Sequence, residues 1–443
     1  MKKMFFIVFI SIAFSGYAQT ENNLTITMEE AIDLGIKNRY DIQANKYNIT
    51  IAANTVSKRK KEWLPDISAS VNVEYNTQLK AMYVPEGFVG LTEPSLIALG
   101  SKNATAFSLD LNQALYQPGI NTDIKLAKNN LDLQKEKNRA TEIEIKNQIA
   151  EAYLNVLLKK LQYEVAVKDE NRYEEYVKLA EGRYKQGVLI ENDYRQVQLD
   201  YENAKIQTTT TKQRYELSLD NLKYQINVPE ETIVTLSDTI GGANFEENQE
   251  QLPVNINNQT EVKQLQLQQQ ANALQIKKMR QNALPTISLF ASYSQQFLYK
   301  NFEYGKSNWW SPYSYLGLRL SLPITSDFKN YNNVQRYKIR TLQTDLEIKQ
   351  KTADVDYELE KAMTELENAL ENMQITQRNY ALSQTIEATQ KQQFALGAFK
   401  YSDLLDTEKS LIRTEQNYLK AVYDYLMAKI SIEKLSEIFK SAE

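Results

Sequence analysis

The chain has 443 residues, 42% hydrophobic and 24% charged, with a formal net charge of -4. That length suits two or three domains or one large repeated architecture, and the charge gives no support to nucleic-acid binding. Histidine and cysteine are both absent. This removes disulfides, thiolate chemistry and the commonest general base and metal ligand, and it argues against an enzyme or a bound cofactor.

In chain order, Lys2 and Lys3 precede an apolar run from Met4 to Phe14, and Gly16-Tyr17-Ala18 closes it with small residues. The pattern predicts a secretory signal peptide over 1–18. The run is too short for a membrane anchor. No later stretch approaches a spanning helix, so a membrane form of this chain would have to be a β-barrel. Only 13 Gly and 9 Pro punctuate the sequence, which favours long helices.

A helix is expected over about 28–61, stopped by Pro65. From Ile67 to Leu79 the odd positions are apolar or tolerate an apolar setting and the even ones are polar, the mark of a long strand with one dry face. A second strand follows at about 105–116. Between them, Lys80 to Asn103 is expected as an external loop. Two long helices are expected next, about 120–186 and 191–226. A linker over 229–258 leads to another helix, about 259–282, and to strands at about 287–299 and 313–324. In the last strand, Leu316, Leu318, Leu320 and Leu322 share a face opposite Tyr315, Arg319 and Ser321. Helices over about 329–395 and 402–438 complete the chain.

The two halves repeat. Tyr184-Lys185-Gln186-Gly187 is followed by Asp193-Tyr194, and Phe394-Ala395-Leu396-Gly397 by Asp403-Leu404 at the same spacing. Leu64-Pro65-Asp66-Ile67-Ser68 returns as Leu284-Pro285-Thr286-Ile287-Ser288. Two structural repeats, 19–228 and 259–443, follow from these matches. Val355, Leu359, Ala362, Leu366, Ala369, Met373, Thr376 and Tyr380 step by four and three as a coiled-coil seam. Ile145, Ile149, Ala152 and Val156 form one seam and Leu154, Leu158, Leu161 and Val165 another, so that helix has neighbours on two sides. Helices of about 65 residues would reach roughly 100 Å, which suits a wall of helices.

Four two-faced strands of this length can cross a bilayer obliquely. Tyr75, Tyr116, Phe297, Tyr299, Trp309, Trp310 and Tyr313 stand near strand ends, where interfacial aromatics belong. Four strands cannot close a barrel, and lipid forbids an open edge. Several chains must therefore pool their strands, and three copies would give twelve.

The sequence resembles the TolC-type outer-membrane efflux channels over essentially the whole mature chain. The resemblance rests on the duplicated helix–strand–strand–helix–helix order, the LPxIS element of each half, the aromatic-x-x-Gly hairpins with Asp six residues on, and Leu222 to Pro229 closing the first repeat. It implies a mainly α fold with membrane β: a homotrimer with a twelve-stranded barrel in outer-membrane lipid, continued by a long periplasmic α-helical barrel whose equatorial region the 229–258 linker and the chain ends would supply. It implies a passive exit duct for small molecules, served by a periplasmic adaptor and an inner-membrane pump of RND or ABC type. A type I protein-secretion channel shares the architecture, and a periplasmic coiled-coil scaffold or stalk is the alternative of another class.

The same resemblance places functional residues. The hairpins at Gly187 and Gly397 would form the tunnel tip and the adaptor-docking surface, although helix capping alone also accounts for both glycines. Asp403 and Asp406 match the family's entrance constriction, where stacked carboxylate rings would favour cations. As first-turn residues they would also complement the helix macrodipole. Asp193 matches an aspartate that ties the closed tip through Tyr and Arg partners. Here those positions are Phe394 and Phe399, neither of which accepts a charge-assisted bond; two alternatives are that Lys400 beside them replaces the arginine, or that Phe394 and Phe399 make apolar contact with a neighbouring hairpin.

Overall fold

The computed structural model describes residues 23–87, 92–238, 258–396, 398 and 400–437. It divides into two compact units. The expected signal peptide and most of the 229–258 linker lie outside the described residues.

One unit holds residues up to Gln43, Thr141–Asn255 and Val355–Glu443. It begins with β1 (Asn23–Ile26) and α1 (Met28–Asn38). Thr27 caps α1 in a reciprocal box: Glu30 N–H donates to the Thr27 hydroxyl, and Thr27 N–H donates to the Glu30 carboxylate. The sequence predicts one helix over 28–61, but the chain breaks at Arg39 and restarts as α2 (Tyr40–Lys61). Arg39 is extended, and its guanidinium pairs with Asp41 at 2.7 Å and donates to Gln225 Oε1. Those side-chain bonds, together with Asn227 Nδ2 donating to the Asn38 carbonyl, hold the break open.

The long helices of this unit are parts of α3 (Pro118–Lys185) and α6 (Ser326–Ala395), with α4 (Glu191–Ile226) and α7 (Tyr401–Ser436). Both α3 seams are covered: Ile145, Ile149, Ala152 and Val156 are buried, and so are Leu154, Leu158 and Val165. On α6, Val355, Ala362 and Met373 are buried along the expected seam. One core joins Ile149, Tyr153, Leu222, Ile226, Val422 and Ile430; a second joins Tyr173, Tyr176, Val197, Phe394 and Leu404. A parallel pair absent from the sequence reading, β1 with β6 (Ile233–Leu236), closes one side of the first core. The buried Tyr153 hydroxyl donates to Asp238 Oδ2 at 2.7 Å, and Met28 N–H donates to the same oxygen.

Gly35 sits where α1 meets α3. A Cβ there would lie 2.1 Å from Ile149 Cδ1, and Ile149 is fully buried. Gly35→Ala is expected to cost about 1–3 kcal/mol in overpacking, more than the ~1 kcal/mol its helix propensity returns. Ile149→Val removes the obstructing methyl. The double variant should therefore show a higher thermal midpoint than Gly35→Ala alone.

The second unit, Ala44–Ala140 with Ile256–Asp354, contains α5 (Thr260–Gln281) and a four-stranded antiparallel sheet. Its strands are β2 (Asp66–Tyr75), β5 (Asn103–Tyr116), β7 (Thr286–Tyr299) and β8 (Trp310–Ser321), in the order β2-β5-β7-β8. The register keeps the two-faced pattern across strands. Ile67 faces Leu111, Val71 faces Phe107 and Ala291 faces Leu316 on one side; Ser70, Ser108 and Ser294 align on the other.

Several boundaries differ from expectation. β2 ends at Tyr75 rather than Leu79: Asn76 still donates its N–H to the Lys102 carbonyl at 2.7 Å and its side-chain amide to the Ser101 carbonyl, and the chain bends directly after it. Pairing then resumes as a short hairpin, β3 (Ala81–Val84) with β4 (Ser95–Ala98), inside the expected loop. β8 starts at Trp310 and stops before Pro323, which has no N–H for the ladder. Pro312 lies within β8, which is an edge strand of the protomer's own sheet.

Candidate functional site

Two regions could serve passage through a membrane: the sheet, and the helix hairpins far from it in sequence. The sheet is inverted relative to a soluble protein. Leu316, Leu318 and Leu320 are about 70% exposed on one face, whereas serines line the other. At the turn end, Phe297 is fully buried among Tyr304, Trp310 and Tyr299, with ring centroids 5.0 to 6.2 Å away. Tyr75 stacks on Phe302 and Tyr299 lies against Trp309. Tyr116 stands alone of this set at the helix end of the sheet. Tyr313 shares a turn-end position but the serine-lined face, where it stacks with Tyr315. On that face Phe290 covers Gly317, whose Cβ position lies 2.5 Å from the ring, and Arg319 lies 5.0 Å from the ring centroid.

The first hairpin closes by geometry a glycine favours. Gly187 has φ +74, and Val188 N–H reaches back to the Arg183 carbonyl at 3.0 Å. The second uses the same six-to-one bond, Ala398 N–H to the Gln393 carbonyl. Gly397 and Phe399 lie outside the described residues. Asp193 is half-buried in the first turn of α4, and no hydrogen bond or ion pair to it occurs among the described residues. Lys400 precedes α7 as its N-cap and is exposed.

Phe394 is instead joined to the first hairpin by Arg183. The guanidinium lies 4.8 Å from the ring centroid and donates to the Phe394 carbonyl at 3.2 Å. Asp403 and Asp406 are both exposed, one helical turn apart, and Asp403 accepts from Ser402 Oγ. Leu404 and Leu405 between them are buried. The carboxylates thus point away from the protomer's own core.

A buried ionic cluster joins α3, α6 and α7 above the hairpins. Glu408 is 1% exposed, accepts a short hydrogen bond from the Tyr176 hydroxyl, and lies 3.4 Å from Arg172 Nε. That approach is an ion pair without hydrogen-bond alignment. Arg172 also binds Asp169 closely, and Glu387 approaches Tyr176 to 3.4 Å. Burial pushes the Glu408 carboxyl up, with Arg172 and the Tyr176 hydroxyl opposing it. Burial raises Asp169 to about 7 against the pull of Arg172. No role was assigned to these residues from sequence. A signal existed: Asp169, Arg172 and Tyr176 continue the Leu158–Leu161–Val165 seam at four-three spacing, and Glu408 occupies the step between Leu404 and Leu411.

A four-stranded amphipathic sheet fed by long paired helices defines a subunit of a membrane channel. A family model described as outer membrane efflux protein matches residues 31–227 and 254–436. The chain belongs to the outer membrane efflux protein family. It is an efflux protein of the bacterial outer membrane, and not an enzyme. Its fold is similar to the crystal structure of CusC, at 16% identity and TM-score 0.73 over 94% of this chain and 93% of that one. The Campylobacter jejuni CmeC outer membrane channel gives 16% identity and TM-score 0.69 over 96% and 91%. The open Neisseria gonorrhoeae MtrE channel gives 15% identity and TM-score 0.71 over 92% and 88%. No curated protein matches the chain.

Proposed function

We propose that three copies close a twelve-stranded barrel and conduct small molecules outward as the passive exit duct of a tripartite efflux system. The observation that carries this is the sheet's two free edges, β2 and β8, beside an uncovered apolar face. Lipid tolerates neither edge, so each must pair with another copy. Uncovered apolar stripes support the same assembly. Ile339, Leu342 and Leu346 are exposed at helical spacing in the sheet-bearing unit, and Ile375, Leu382 and Ile386 in the other.

In this reading an adaptor engages the hairpins at Gly187 and Gly397, and an inner-membrane pump of RND or ABC type supplies the energy. Asp403 and Asp406 ring the entrance, and Asp193, Phe394, Phe399 and Lys400 belong to the gating tip. The test is reconstitution of the purified protein in planar bilayers. Trimeric particles with stable conductance and cation preference are expected, and Asp403→Asn with Asp406→Asn should shift the reversal potential toward zero. Monomeric, non-conducting particles would overturn the assembly. An unchanged reversal potential would remove the two aspartates from the entrance. Loss of the gene should sensitise cells to small toxic compounds; loss of a secreted protein instead would replace efflux by protein secretion.

A further inference from the structure

Positive charge gathers where the helices meet the sheet. α2 ends in Lys58-Arg59-Lys60-Lys61, the last turns of α5 carry Lys277, Lys278 and Arg280, and α6 has Lys329 in its first turn. Two of these cations are internally satisfied: Arg59 by Glu62 and Lys278 by Asp123, each at 2.6 Å. Lys58, Lys60, Lys61, Lys277, Arg280 and Lys329 are exposed, and no ion pair to them occurs among the described residues. The whole chain carries a net charge of -4, so composition does not explain the accumulation. The macrodipole favours cations in the last turn of α2 and of α5. It disfavours Lys329, which stands at the positive end of α6.

An independent marker fixes the level of this rim. The chain has three Trp, and they bracket the sheet: Trp309 and Trp310 at the turn end, Trp63 just before β2. Gln113 Nε2 donates to the Trp63 carbonyl at 2.6 Å, which ties that segment to β5. Leu64 beside it is exposed. Tryptophan favours the boundary between acyl chains and headgroups. Ten strand residues at about 3.3 Å each, tilted, span roughly the apolar band of an outer-membrane barrel. Lys58 to Lys61 lie one helical turn beyond Trp63, or about 3–8 Å along the axis, which is phosphate depth.

We infer that this helix-side rim binds the anionic headgroups of periplasmic-leaflet phospholipids, with the free lysines and Arg280 meeting their phosphates. The inference rests on the outer-membrane seat of the protein and is independent of its cargo.

The test uses the full-length protein in nanodiscs, with Trp309→Phe and Trp310→Phe leaving Trp63 as the sole reporter. Brominated phosphatidylglycerol in a phosphatidylcholine background, and the reverse labelling, quench Trp63 according to local lipid occupancy. Preference for the anionic lipid is expected at about two- to threefold in low salt, falling to near unity in 0.5 M NaCl. Lys58→Gln, Lys60→Gln, Lys61→Gln, Lys277→Gln and Arg280→Gln together should abolish it. Trp63→Phe, which leaves the turn-end reporters, should show no such preference. Equal quenching by both lipids in the parent would overturn the proposal. So would a preference that survives the five substitutions, or one matched at the turn end. Absence of quenching by either lipid would place a protein, another copy or a periplasmic partner, over the rim and also overturn it. Should the fivefold variant fail to fold, the parent's headgroup and salt dependence decide the matter.

Discussion

Arg172→Met is expected to destabilise the protein by about 3–5 kcal/mol, the usual consequence of removing one partner from a buried ion pair. Glu408 is 1% exposed and has Arg172 as its cation. Asp169 is 8% exposed and binds the same guanidinium. Without it, two carboxylates must be protonated or desolvated as charges inside a helix seam. Methionine keeps the packing volume, so the loss reports charge rather than a cavity. A drop of several degrees in the midpoint of thermal unfolding in detergent, followed by circular dichroism, is the expected readout.

The cluster's energetics also make the rescue specific. Glu408→Gln alone should cost less than Arg172→Met, because it removes a buried charge while Tyr176 keeps an acceptor. The double variant Arg172→Met with Glu408→Gln should recover much of the single-variant loss. A coupling below about 0.5 kcal/mol in this cycle would mean that the two side chains act independently.

What the sequence disclosed follows the strength of each physical signal. The strands were legible because alternation must be kept along the whole strand when one face meets lipid and the other water. The long α3, α4, α6 and α7 were legible because a seam repeats many times and few breakers interrupt it. The break at Arg39 was hidden. It depends on side-chain bonds to Asp41 and Gln225, and the Gln225 partner lies 186 residues away. The β1–β6 pair was hidden for a similar reason: each strand has only four residues, too few to show a period. Among the candidate site residues, the positions of Gly187 and Asp403 emerged from repeat spacing, and Asp406 from the family resemblance. Arg183 did not, because a cation reaching an aromatic ring and a carbonyl on the other hairpin leaves no mark in spacing. The ionic cluster was readable in principle, since charges on an otherwise apolar seam are costly unless paired.

Asp169 gives that cluster a pH dependence whose sign is opposite to ordinary acid denaturation. Burial raises its carboxyl to about 7 in the folded chain, against about 3.9 when unfolded. The folded state therefore holds the proton more tightly. No stability is lost below about pH 4, the loss accrues as pH rises toward 7, and it levels off above that. The groups that set this value are Arg172 and Lys168, which favour ionisation, and Glu408 and Glu415, which oppose it. A cavity of about 430 Å³ lined by Asp169, Asp200, Arg214 and Lys409 gives the proton a polar route to the site. Asp169→Asn removes the titration. Compared with the parent, the variant should gain nothing near pH 3, about 1 kcal/mol near pH 4.5 and up to about 4 kcal/mol by pH 7.5, with little further gain above. Thermal midpoints of both proteins across that range decide it: a difference independent of pH, or one that grows toward acid, would show that Asp169 does not titrate as burial dictates.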